Sequence, residues 1–158
     1  VKEGADWIKV MATGGGTKGT VGHQASYTLD ELCAIVEEAH SFDRWVGAHC
    51  TGLAAMERLL DAGVDMIYHG NFRNSSGDYQ FDEEIAARWA DTGTWFNPTL
   101  HVCRGRIQRL RSLDEERGLT DEERTYLGQQ EAYWGMLTDA FQRMLRAGVP
   151  IVAGSDSG

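Results

Sequence analysis

Four residues carry the chemistry that this sequence offers: Lys9, His49, His69 and Asp156. Each lies in or at the end of a short apolar run, in "WIKVMATGGG", "RWVGAHC", "DMIYHG" and "PIVAGSD". The amine is the unusual member. Its run reads as a buried strand, and burial drives an ammonium toward the neutral amine. A neutral amine reacts with carbon dioxide to give a carbamate, an anionic group that offers two oxygens. Such a group bridges two divalent ions, while neutral imidazoles and a carboxylate complete their shells. Metals about 3.5–4 Å apart hold a hydroxide between them and polarise a carbonyl. Asp156 would then orient that hydroxide and pass its proton to the leaving group.

Taken singly, each residue has a plainer reading. A strand lysine usually snorkels to water. A lone histidine caps or packs, and Asp156 alone could N-cap a following helix. The set of four, in order and each on its own strand, favours a shared site. His23, in the loop after the first strand, and His101, just beyond the fourth, are candidate substrate contacts, with surface roles as the alternative. His40 lies late in a helix, where it meets the C-terminal carbonyls. Cys50 beside His49 has no Asn or Asp partner placed by the sequence and reads as packing.

The elements that must position these residues recur. Four times a Gly ends a helix-like stretch and an apolar run follows: "EGADWIKV", "DAGVDMIYHG", "DTGTWFNPTL" and "RAGVPIVAGSD". Gly just past a helix end takes the left-handed C-cap conformation cheaply. Arg44–His49 is a fifth strand candidate. Between them lie helical patterns. Thr28 with Glu31 makes a capping box, followed by Leu32, Ile35, Val36 and Ala39 on one face. Ala55, Met56, Leu59 and Leu60 repeat the spacing, as do Ile85, Ala86 and Trp89. Val102 to Ala147 is mostly helical, broken near Gly118, with a second capping box at Thr120 and Glu123. The order β-α-β-α-β-α-β-α-β implies parallel strands with helical crossovers.

Two parallel architectures compete. A nucleotide-binding sheet wants a glycine fingerprint after its first strand, and "TGGGTKGT" is the only candidate. It fails as a P-loop, because Lys18 follows Thr17 and precedes Gly19. It fails as a dinucleotide fingerprint too, because the next strand ends in His49 where an acidic residue is wanted. A (β/α)₈ barrel gathers its functional groups at the C-terminal strand ends, which is where His49, His69 and Asp156 fall. Lys9 lies lower, and its long stem reaches up.

At these residues the chain resembles the metal-dependent amidohydrolase superfamily, in its imidazolonepropionase-like and Xaa-Pro dipeptidase-like branch. "IKVMATGG", "VGAHCTG", "IYHGN" and "VAGSDSG" carry the resemblance, which covers essentially the whole chain. It implies a TIM-type parallel barrel, of which residues 1–158 form a partial domain supplying about strands 4 to 8. It implies Lys9 as an N6-carboxylated metal bridge, His49 and His69 as ligands, Asp156 as ligand and catalytic acid–base, and one or two zinc ions. Two departures stand out. The H-x-H pair of the family's first strand is absent, and Tyr68 replaces the acidic residue that often precedes the His69 equivalent. A full barrel needs about 250 residues, so the chain reads as a fragment whose open sheet edges make it poorly stable alone.

The expected activity is hydrolysis of an amide bond in a dipeptide or N-acyl amino acid. The alternatives are hydrolysis of a cyclic amide or lactone, and a non-catalytic segment. Composition agrees with a globular enzyme: 158 residues, 42% apolar and 25% charged. A net charge of −9 argues against nucleic acid as a partner. No run is long enough to span a membrane. Cys33, Cys50 and Cys103 form no CxxC pair, as expected of reduced thiols in the cytoplasm. A small-molecule substrate is the expected partner, with homo-oligomers of the full-length enzyme an open expectation.

Overall fold

The structure, a computed structural model, describes residues 4–15 and 18–156. Val1–Glu3, Gly16 and Thr17 of the glycine loop, and Ser157 and Gly158 of the last quoted motif lie outside the described residues. The expected alternation is present, as β1 (Trp7–Met11), α1 (Leu29–His40), β2 (Trp45–Gly52), α2 (Leu53–Ala62), β3 (Met66–Arg73), α3 (Glu83–Thr92), β4 (Trp95–Asn97), α4 (Leu100–Arg117) and α5 (Asp121–Arg146). All strand pairs are parallel, in the order β1-β2-β3-β4. The fifth strand candidate is reduced to a single parallel bridge between Ile151 and Phe96. Phe96 N donates to Pro150 O (2.8 Å) and Val152 N to Phe96 O (2.9 Å). The run still continues the sheet order past β4, but Pro150 has no N–H with which to extend the ladder.

Local signals account for the helix ends. Both capping boxes form: Thr28 N donates to Glu31 Oε2 (2.8 Å) and Thr120 N to Glu123 Oε2 (2.9 Å). Gly63 and Gly93 end α2 and α3 with φ of 77° and 70°, the left-handed caps the sequence promised. The apolar stripes Leu32/Val36/Ala39, Ala55/Met56/Leu59/Leu60 and Ile85/Ala86/Trp89 are buried. They pack on one face of the sheet, against Val10, Val46, Ala48, Cys50, Ile67 and Phe96.

The other face is open. Trp7, Met11, Trp45 and Trp95 are among its exposed large side chains. Lys9 belongs to this face too: it is exposed, between buried Val10 and half-buried Ile8, which point to the helices. The sequence reading of Lys9 as a buried amine is thereby corrected. Strand alternation turns it away from the helical core, onto the concave surface that a closed barrel would enclose. The pair α4–α5 forms a second, smaller core around Cys103, Ile107 and Leu137, while the end of α5 joins the main core through Ala140 and Met144. None of the described helices is long and apolar enough to cross a membrane.

Candidate active site

Strand register sets the depth of each group. Lys9 pairs with Gly47, two residues below His49, which pairs with Met11 and Tyr68. Gly47 leaves room on the concave face for Tyr68, whose ring carbon Cε2 would lie 2.8 Å from a Cβ there. The Tyr68 ring in turn receives the Lys9 ammonium, with Nζ 3.5 Å from the ring centroid. Although Lys9 as a residue is exposed, this packing desolvates its ammonium and lowers its basicity, against the pull of the Asp156 charge.

His69 should not reach the same face. It pairs with Cys50, which is buried toward the helices, so regular alternation would aim its ring outward. The ladder breaks here: the next pair is Gly52 with Arg73, so β3 carries extra residues. His69, Gly70 and Phe72 take φ of 73°, 55° and 49°. A bulge of this kind re-aims side chains and is common beside active sites. It brings the His69 ring to 4.5 Å from the His49 ring, centroid to centroid, at 65°. The Thr99 hydroxyl, at 2.7 Å from His69 Nδ1, holds the ring in place.

Asp156 arrives by a different device. A Cβ at Gly154 would collide with the end of the Asn97 side chain, so glycine here lets the terminal segment pass closely over the end of β4 without displacing that side chain. Asp156 then lines a recess with His69, Thr99 and Arg106. Its charge reaches all three other candidates, raising the basicity of Lys9, His49 and His69. Burial nevertheless wins. His69 is pushed down to about 4, mainly by burial and then by His49, and His49 is lowered by burial and by Lys9. Both imidazoles are neutral at neutral pH, the form that ligates metals.

These observations test the expected metal. His49 Nε2 is buried without a hydrogen-bond partner, as a nitrogen reserved for a ligand would be. Two facing neutral imidazoles suit a divalent ion of the zinc type. Among the described residues, however, no group of three or more His, Cys, Asp or Glu side chains could hold an ion. The donors present fit part of a shell.

A cleft of about 600 Å³ opens beside the imidazoles. His23 lines it, its ring against Gly77, where a Cβ would lie 2.9 Å from Cε1. His101 is exposed on the first turn of α4 and is not among the residues that line the cleft. Several lining residues carried no sequence signal. Asn71 donates from Nδ2 to the Tyr133 hydroxyl (2.5 Å), across 62 residues. Arg73 stacks 5.4 Å from the Tyr133 ring centroid, and Arg106 projects from α4. Only the "IYHGN" motif pointed near Asn71. The helical residues are brought in by tertiary packing alone.

A parallel four-stranded sheet with helical crossovers, its titratable groups at the carboxyl ends of the strands, is the arrangement of part of a β/α barrel. The chain belongs to the amidohydrolase family, whose profile matches residues 1–158. It is 28% identical to ochratoxinase of Aspergillus niger over 99% of its length, covering 30% of that protein. The crystal structure of that ochratoxinase superposes with a TM-score of 0.72, over 98% of this chain and 32% of that one. A Xaa-Pro dipeptidase crystallised with methionine in its active site gives 0.71 at 27% identity, covering 99% of this chain and 35% of that one. An amidohydrolase crystal structure gives 0.72 at 33% identity, covering 98% and 34%. The chain thus spans about a third of the length of these relatives.

Proposed function

We propose that the chain supplies about strands 4 to 8 of a metal-dependent hydrolase barrel that cleaves an amide bond in a dipeptide or N-acyl amino acid. One observation carries this reading: two neutral imidazoles face each other at adjacent strand ends, one with a buried unpartnered nitrogen, beside a carboxylate and an amine. The family match and the names of the relatives, a dipeptidase among them, support the choice of an amide.

In this reading His49 and His69 would hold a divalent ion through neutral nitrogens, and Lys9, as its carbamate, would be a further oxygen donor. The ion, when bound, supplies the Lewis acid that polarises the scissile carbonyl. Donors beyond those of this chain complete the shell. Thr99 fixes the His69 ring through Nδ1, which leaves Nε2 as the nitrogen that would meet the ion. The Asp156 carboxylate accepts a proton from the attacking water and returns it to the leaving nitrogen. Tyr68 keeps the Lys9 side chain raised along the concave face.

The test uses the full-length protein. Dipeptides and N-acyl amino acids are assayed beside cyclic amides and lactones, with metal content measured in parallel. Amide hydrolysis that is lost on chelation and restored by divalent metal is expected. Turnover of lactones alone would select the cyclic-substrate reading, and a protein that stays inert toward every class after divalent metal is supplied would select a non-catalytic role.

A further inference from the structure

Resting on that reading, we propose that Arg106, with Arg73 behind it, binds the free carboxylate of the substrate. Arg106 lines both the large cleft and the recess beside His69, so its guanidinium borders the reacting groups without being one of them. No carboxylate pairs with it among the described residues, whereas Arg88, Arg111, Arg117 and Arg143 each have an acidic partner. The guanidinium of Arg73 is turned toward the same cleft, over the Tyr133 ring and bonded to Gly77 O at 2.9 Å. Two guanidinium groups at one cleft wall are a local positive focus in a chain of net charge −9. Carboxylates are the ligands that a guanidinium fork recognises best.

The same cleft holds two buried acceptors without partners, Asn71 Oδ1 and Gln130 Oε1. A ligand that satisfies this wall therefore carries an anion and an N–H donor close together. Dipeptides and N-acyl amino acids have both, a terminal carboxylate and an adjacent amide or amine N–H. A simple lactam or lactone, whose one carboxyl is tied up in the ring, lacks the free carboxylate. Asp156 decides the orientation. It lines the recess but not the large cleft, so like-charge repulsion keeps the carboxylate on the cleft side of Arg106 and leaves the amide toward His69.

The experiment measures binding by calorimetry in the full-length, metal-loaded protein. The probes are N-methanesulfonyl amino acids with small, aliphatic and aromatic side chains, which keep the N–H and the carboxylate but have no acyl bond to cleave, each paired with its C-terminal primary amide. In the wild type at least one acid binds about 10- to 100-fold more tightly than its amide, the range for a hydrogen bond to a charged group. Arg106→Gln removes that preference and leaves amide binding unchanged, while Arg106→Lys retains part of it. Equal binding of every acid and its amide by the wild type overturns the proposal, and that comparison needs no variant. A preference that survives intact in Arg106→Gln overturns it too. Acid preference in a protein that hydrolyses no dipeptide or N-acyl amino acid keeps the carboxylate site and sinks the amide-hydrolase reading instead.

Discussion

The two faces of the sheet obey different rules. On the helical side Val46, Ala48, Ile67, Phe96 and Trp89 are almost wholly excluded from water, and the thiol of Cys50 is buried among them. Burial pushes that thiol up to about 12. On the concave side lie exposed tryptophans, an amine over a tyrosine ring, and imidazoles at the strand ends. The first face stabilises the fold by removing apolar area from water. The second positions groups whose protonation states the surroundings have shifted. Stability and chemistry are thus separated by one strand thickness, and substitutions on the two sides should separate in the same way.

The sharpest test of the helical face is Trp89→Ala. The indole is fully buried, sits edge-on to Phe96 at 5.2 Å, and donates to Thr94 O at 2.8 Å. Its loss should cost about 3–5 kcal/mol of unfolding free energy in urea titrations. A cost below about 1 kcal/mol would mean that this face is not the principal source of stability.

The matching substitution on the concave face is Lys9→Met in the full-length protein. It keeps an apolar stem and removes the amine. Stability should change by no more than about 0.5 kcal/mol, while kcat/KM falls about 10²–10³-fold, as when one electrostatic contact to reacting groups is lost. Metal content should drop with it, and added bicarbonate should accelerate reactivation of metal-stripped wild type but not of the variant. Full activity and full metal occupancy would reduce Lys9 to a surface residue that stacks on Tyr68.

Gly70→Ala couples the two faces. Gly70 has φ of 55°, and a Cβ would lie 2.6 Å from the Phe96 ring, so the change strains the bulge and presses on the core together. A loss of about 1–3 kcal/mol is expected, accompanied by weaker metal binding because the bulge no longer aims His69. Lost stability with unaltered metal affinity would break the link drawn between bulge and imidazole.

The smallest effect lies at the start of α5. Arg117 and the Thr120 cap hold the Glu123 carboxyl down to about 2, from an ordinary value of 4.5. The folded state is the stronger acid here, so the contribution is fully present above pH 4.5 and is lost as pH falls toward 2. The acid limb of a stability–pH curve should flatten over that window in Glu123→Gln, while neutral-pH activity stays unchanged. An identical limb in the variant would show that the cap does not contribute.

The helical side was the more legible of the two. Both capping boxes, the glycine caps at Gly63 and Gly93 and the apolar stripes are local patterns, and these formed where the spacing placed them. The concave side was legible only in outline. Period-two alternation put Lys9 and His49 on one face, but the same rule would have turned His69 away. The last strand candidate shrank to one bridge at Ile151, next to Pro150, because pairing depends on a donor that proline lacks.

By itself, then, the sequence determined the alternation of parallel strands and helices, the family, and the strand ends at which titratable residues fall. These follow from signals within a few residues of one another. Tertiary structure decided which side chains meet. The left-handed bulge turned His69 onto His49, Gly154 let the chain close over Asn97, and the packing of α4 and α5 carried Arg106 and Tyr133 to the cleft wall. Those contacts join residues tens of positions apart. Their geometry depends on register, backbone hand and helix packing together, and no local pattern in the chain encodes that combination.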